Sequence, residues 1–244
     1  MMIRAFLLII CLIGNAARAE VVVFAAASLK EPVDAIAASF EDVVVSYGGS
    51  GTMARQVSLG APADVVLLAN DDWMNVLIDD GYVRADTVID FASNRLVMVG
   101  QAEAADVALE PESILMALDG GRIALGLTEA VPAGIYAKAA LQSLGLWDAV
   151  AGQLAEVDNV RAALALVARG QAPLGIVYAS DLRVTDQVRQ VAVFPVESHP
   201  TIRYRGALTL DASPEAAAFL GFLTGEMGQR HLADAGFLPA AAAE

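Results

Sequence analysis

Apolar runs and amphipathic stretches alternate along nearly the whole chain. Val21 to Phe24 is a short unbroken apolar run, as expected of a strand buried on both faces. After it, Leu29, Val33, Ile36, Ala37 and Phe40 recur at helical spacing, which predicts a helix over Ser28–Phe40 with Ser28 and Glu31 as a capping box. The alternation continues with a strand at Val43–Tyr47, a helix at Thr52–Leu59 and a strand at Asp64–Ala69. A helix capped by Asn70 then runs through Ile78 and stops at Gly81. Farther on, strands at Arg95–Val99, Arg122–Leu125, Leu174–Tyr178 and Val191–Phe194 alternate with helices. Those helices span Glu112–Leu118, Pro132–Leu144 and a stretch capped by Asp158 or Asn159 that ends at Arg169. Ser213-Pro214 predicts a helix start with Pro at its first position, and a last helix is expected at Glu226–Ala233. This order predicts an α/β fold with parallel-rich sheets flanked by helices. Two lobes can share such a chain if it crosses twice, near Ser93–Asn94 and near Glu197–Pro200.

The first nineteen residues stand apart. Arg4 gives a positive start, Ala5–Ile13 an apolar stretch and Ala17-Arg18-Ala19 a cleavage pattern, so residues 1–19 are expected to be a signal peptide. That stretch falls short of the ~20 residues of a spanning helix. The single cysteine, Cys11, lies inside it, so the mature chain has no disulfide, thiolate nucleophile or Cys-ligated metal. With 29 acidic against 15 basic residues the formal net charge is −14, and Arg4 and Arg18 leave with the leader. An acid excess of this size argues against nucleic acid and anionic membrane surfaces as partners.

Against that acidity, five segments place hydroxyls or free backbone N–H groups at turns: Ala25-Ala26-Ala27-Ser28, Gly48-Gly49-Ser50-Gly51-Thr52, Val131-Pro132-Ala133-Gly134, Asp158-Asn159-Val160-Arg161 and Gly175-Ile176-Val177-Tyr178. Four of them sit where a strand should end or a helix begin. Helix N-termini carry unpaired N–H groups and a partial positive charge, so several facing one cleft would make an anion site built from neutral groups. Each segment also has a plain structural reading. Ser28 can be a helix cap, Ser50 part of an ordinary glycine-rich turn, Pro132 a helix start and Tyr178 a buried phenol with a structural partner. The Gly-rich turn is neither a P-loop nor a nucleophile elbow, because no Gly-Lys-Ser/Thr follows and Thr52 takes the place of the last glycine. His199 and His231 are the only histidines, and neither has metal-ligand spacing to a carboxylate.

In order and spacing these pieces resemble the periplasmic molybdate-binding proteins of ABC importers. The matching stretches are Val23-Phe24-Ala25-Ala26-Ala27-Ser28-Leu29, Ala54-Arg55-Gln56, Gly60-Ala61-Pro62-Ala63-Asp64 and Val131-Pro132-Ala133-Gly134-Ile135-Tyr136-Ala137-Lys138. Asn159-Val160-Arg161 and Pro173-Leu174-Gly175-Ile176-Val177-Tyr178, followed by Ser180-Asp181, match as well. The resemblance implies a two-lobed type II periplasmic binding protein fold with the ligand cleft between the lobes. It implies residues 20–93 plus 199–244 as the first lobe and 94–198 as the second. By position, Ser28 and Ser50 match the family's serine ligands, Ala133 and Val160 its backbone donors and Tyr178 its phenol donor. Ala27, Gly51 and Thr52 are neighbours that would add N–H groups. The chain departs from the family pattern at Gly126–Ala130, at Gly48–Gly51 and at Arg203-Tyr204-Arg205-Gly206.

The resemblance further implies a monomeric, non-enzymatic receptor in the periplasm. It would bind molybdate or tungstate as cargo, hold no cofactor and no metal except molybdenum as the oxyanion, and serve an ABC membrane permease. The mature chain would not insert in the membrane. Donors that offer only protons select a fully deprotonated oxyanion, which leaves sulfate as a second cargo. The reading from another class is a secreted serine hydrolase using Ser28 or Ser50, which would need a base close by.

Overall fold

The computed structural model describes residues 20–240, so the expected leader lies outside the described residues. In chain order the elements are β1 (Val21–Ala26), α1 (Lys30–Ala37), β2 (Val43–Gly48), α2 (Ser50–Ser58), β3 (Val65–Leu68), α3 (Asp71–Asp79), β4 (Ile89–Ser93) and β5 (Leu96–Gln101). There follow α4 (Pro111–Leu118), β6 (Ile123–Gly126), α5 (Pro132–Ser143), α6 (Trp147–Val150), β7 (Leu154–Val157), α7 (Val160–Ala168) and β8 (Leu174–Tyr178). The chain closes with β9 (Val188–Val193), β10 (Arg203–Leu208), α8 (Ala216–Phe222) and α9 (Glu226–Asp234).

The strands form two five-stranded sheets, ordered β2-β1-β3-β10-β4 and β7-β6-β8-β5-β9. Both are mixed. β1 is parallel to β2 and β3, while β10 lies antiparallel to β3 and β4. In the second sheet β6 is parallel to β7 and β8, while β5 lies antiparallel to β8 and β9. Strand–helix–strand alternation predicts the parallel half of each sheet. β5 and β10 are instead the strands reached when the chain changes sheets, so no crossover helix within their own sheet forces them parallel. The chain leaves the first sheet after Ser93 and rejoins it at Arg203.

Strand periodicity explains the unbroken apolar runs. In β1 and β3, Val23, Ala25, Val65 and Leu67 enter one buried cluster, while Phe24, Val66 and Leu68 enter another on the opposite face. Met53, Val57, Met74 and Leu77 from α2 and α3 complete that second cluster. The central strands are therefore covered on both sides and tolerate no polar alternation. β4, β7 and β10 were not expected from the pattern. α8 begins at Ala216, leaving Pro214 in the turn before it instead of at the first helical position. Asn70 stands at the N-cap position of α3, but its side chain makes no capping bond. No helix among the described residues is long and apolar enough to cross a membrane.

Candidate functional site

Five chain segments end on one small cavity. β1 runs out at Ala26 into a 3-10 turn, Ala27–Leu29, that carries Ser28. Gly49 joins the end of β2 to Ser50, the first residue of α2. α5 and α7 bring Ala133 and Val160 in their first turns, and Tyr178 is the last residue of β8. Ser28, Ser50, Ala133, Val160 and Tyr178 all line the cavity, with Ala27, Gly49, Ala69 and Asn159 among their neighbours, whereas Gly51 and Thr52 do not. Its volume is about 10 Å³, about the space of one water-sized guest.

The local sequence explains this convergence. Pro132 opens α5 with the fixed φ that suits a first helical position. Asn159 caps α7, its Oδ1 accepting from the Ala162 N–H at 3.0 Å. Gly51 allows the two halves of the site to meet, since a Cβ there would lie 2.6 Å from the Ala130 carbonyl oxygen and 2.7 Å from the Trp73 ring. Two hydrogen bonds join the same two halves. Trp73 Nε1 donates to the Ala130 carbonyl at 2.9 Å, and Tyr136 Oη to the Ala69 carbonyl at 3.3 Å.

The electrostatics is set by what is missing from three first turns. α2, α5 and α7 carry no acidic residue there, whereas α3, α4 and α9 begin with Asp71 and Asp72, Glu112 and Glu226. The helices aimed at the cavity thus keep their N-terminal partial charge uncompensated, which favours an anion. The hydroxyls point the same way. Ser50 Oγ accepts from the Ala69 N–H at 3.0 Å, which leaves its own proton free. Tyr178 is 1 % exposed and its Oη has no hydrogen-bond partner among the described residues. Burial, reinforced by Tyr204, Tyr136 and Asp181, holds its pKa well above the usual phenol value, so it keeps its proton.

Ser28 is not the predicted cap. The 3-10 turn moves the start of α1 to Lys30, and no side chain caps either element. The Ser28 hydroxyl lies 3.0 Å from Tyr204 Oη, and Glu31 turns to Arg161. Arg161 draws the site together from outside the cavity. Its guanidinium donates to Glu31, to the Ser28 carbonyl at 3.0 Å and, through Nε, to Asp181 at 2.6 Å. Asp181 in turn accepts the Tyr178 N–H at 2.9 Å. Burial alone would raise the Glu31 pKa, but Arg161 outweighs it and holds that carboxyl below its ordinary value. Asp181 shifts upward, because complete burial outweighs the pull of Arg161.

Tyr204, Asn94, and the roles of Arg161 and Asp181 were not found from the sequence. Their contacts span up to 176 positions and leave no local pattern. Arg161 and Asp181 lay inside stretches that matched by position, and Tyr204 inside one marked as a departure, but none of them was given a role there. Only Tyr178 among the lining residues is titratable, and neither histidine lines the cavity. His199 Nδ1 instead sits 2.8 Å from the Pro200 carbonyl oxygen. A hydrolase reading therefore has no base beside Ser28 or Ser50. Among the described residues no cluster of His, Cys, Asp and Glu could hold a metal ion.

Residues 21–238 match the family described as bacterial extracellular solute-binding protein. The chain is 43 % identical over 201 residues to the molybdate-binding protein ModA of Escherichia coli (strain K12), covering 78 % of each chain. It is 37 % identical over 231 residues to the protein of the same name from Haemophilus influenzae, covering 91 % of each. Among solved structures, the periplasmic molybdate-binding protein of Azotobacter vinelandii superposes with a TM-score of 0.78 over 91 % of this chain and all of the other. At 22 % identity that likeness speaks to the fold alone.

Proposed function

We propose, because the chain belongs to the bacterial extracellular solute-binding protein family, that its cargo is molybdate, held by the cavity and handed to the membrane permease of an ABC importer from the periplasm. The family is one of receptors for solutes, not of enzymes. Two relatives named for molybdate, at 43 % and 37 % identity, support the cargo. The observation that carries the site is the buried, unpartnered Tyr178 hydroxyl facing a cavity built from neutral donors at three helix starts. In this reading Ser28, Ser50 and Tyr178 donate through hydroxyls, and Ala133 and Val160 through backbone N–H groups. Hydrogen bonds to a charged group contribute ~1.5–3 kcal/mol each, so several converging donors offset the lost hydration of a dianion. Tungstate has the same shape and charge and belongs to the same proposal.

Residues 20–93 with 199–244 form one lobe in this scheme and residues 94–198 the other. The donors come from both, so the anion stabilises the state in which the lobes are together and shifts the population toward it. Titration calorimetry of the mature, ligand-stripped protein with molybdate, then tungstate, then sulfate tests the reading. One-to-one binding of the first two with sulfate weak is the expected result. Heat from sulfate alone would make sulfate the cargo, and silence from all three would overturn the proposal.

A further inference from the structure

The Ser28 hydroxyl belongs to a chain of hydrogen bonds whose direction can be read. Asn94 is 6 % exposed and lies where the chain leaves the first sheet. Its Oδ1 accepts from the Arg95 N–H at 3.0 Å and the Ser180 N–H at 3.4 Å. Backbone N–H groups only donate, so these two contacts fix which end of the amide is oxygen. The Nδ2 group then faces Ser180 Oγ at 2.8 Å and Tyr204 Oη at 3.5 Å. An amide NH₂ also only donates, so Tyr204 Oη accepts there, and donation to Ser28 Oγ, 3.0 Å away, is the arrangement that leaves its buried phenol proton paired. Tyr204 is fully buried, and that burial keeps its pKa above the ordinary phenol value, so the proton is present. Ser28 has thereby accepted, and its remaining proton is left for the cavity it lines.

We infer that Tyr204, oriented by Asn94, fixes Ser28 as a proton donor to the cavity, and that this fixed polarity rejects oxyanions that carry a proton of their own. The inference rests on the oxyanion reading above and names what sets its selectivity. Ser50 is polarised in the same sense by the Ala69 N–H, and Tyr178 has a proton and no partner. A fully deprotonated dianion meets donors on every side. A protonated oxyanion brings an O–H that needs an acceptor, and Ser28 Oγ, with its proton aimed at the cavity and one lone pair taken by Tyr204, keeps only its second lone pair, which does not point where its proton points. Tyr204 is a positioning residue, since it does not line the cavity.

Tyr204→Phe removes the proton and keeps the ring, which packs against Phe91, Tyr178 and Phe237 at centroid distances of 6.3, 5.9 and 5.1 Å. Calorimetric affinities for molybdate, and for inorganic phosphate at about pH 6 where it is largely a protonated monoanion, are compared in wild type, Tyr204→Phe, Ser28→Ala and the double variant. Tyr204→Phe is expected to weaken molybdate about tenfold and to leave phosphate no weaker, narrowing the ratio between them. On the Ser28→Ala background the same change should have no further effect on molybdate. Equal losses for both anions, a molybdate affinity within about twofold of wild type, or a loss that persists without Ser28 would overturn the inference. If wild type ignores molybdate, the cargo reading fails and the chain is judged in the free protein by proton NMR. A slowly exchanging Tyr204 hydroxyl proton close to the Ser28 methylene, lost in Tyr204→Phe, would uphold the chain, and its absence would sink it.

Discussion

Replacing Tyr178 with phenylalanine separates binding from stability, because its hydroxyl is buried and unpartnered in the folded protein. The ring packs at 5.9 Å from Tyr204 and fills the end of β8, so the substitution leaves the core in place. What disappears is one neutral donor to an anion, worth ~1.5–3 kcal/mol, or about 10- to 150-fold in the dissociation constant for molybdate. An unmade hydrogen bond at a buried polar group costs about 1–3 kcal/mol, so deleting the oxygen relieves a penalty in the ligand-free closed form. The ligand-free variant should therefore melt no lower than wild type. At saturating ligand, its stabilisation by molybdate should be smaller by about 3–12 °C, using ~2–4 °C per kcal/mol for a chain of this size. Calorimetric titration gives the first quantity and thermal scans with and without molybdate give the second. Undiminished affinity in a folded variant would refute the assignment of Tyr178 as a donor, and a lower ligand-free melting temperature would refute the argument from its unpartnered oxygen.

Ser50→Ala should behave differently, losing affinity and also lowering the melting temperature of the free protein, because the Ala69 N–H would lose its acceptor; a variant as stable as wild type would contradict that role. Gly51→Ala should weaken molybdate binding while leaving the far-ultraviolet circular dichroism unchanged, since its Cβ would strike the Ala130 carbonyl across the site; wild-type affinity would show that the halves need not approach so closely. Glu31 is held below its ordinary pKa of 4.5, so its bridge to Arg161 is present above about that pH and is lost as pH falls through the lower folded value. The pair is partly exposed and worth at most ~1 kcal/mol, so affinity should fall by up to about fivefold on acidification, and Glu31→Gln should remove that part of the pH dependence. An identical acid limb in Glu31→Gln would exclude the bridge as its cause.

The fold was legible where local physics decides it. Leu174–Tyr178 reads as a strand at its observed bounds because both faces are buried and every residue is apolar or glycine. β10 was missed because Arg203 and Arg205 break its apolar run, and their partners, Asp71 and Asp90, lie more than a hundred residues away. The helix starts at Ser50, Pro132 and Val160 announce themselves through glycine, proline and asparagine, so those parts of the site could be marked in advance. The expected capping box at Ser28 is the local reading that failed. The partner of Ser28 is a phenol on the far side of the chain, and the capping rule sees only the next three residues.

The bare first turns of α2, α5 and α7 carry one more consequence. Each helix start amounts to about half a positive elementary charge, and three of them aimed at one point repel one another. Closing the cleft around nothing, or around a neutral guest of equal size, would press like charges together. A dianion cancels most of that repulsion without any lysine or arginine in the cavity wall. If the oxyanion binds there as proposed, its charge belongs to the closed structure, much as a counter-ion belongs to a salt crystal. In the proposed reading, its departure leaves the start of α2 facing those of α5 and α7 across the cleft, and that repulsion favours parting of the halves.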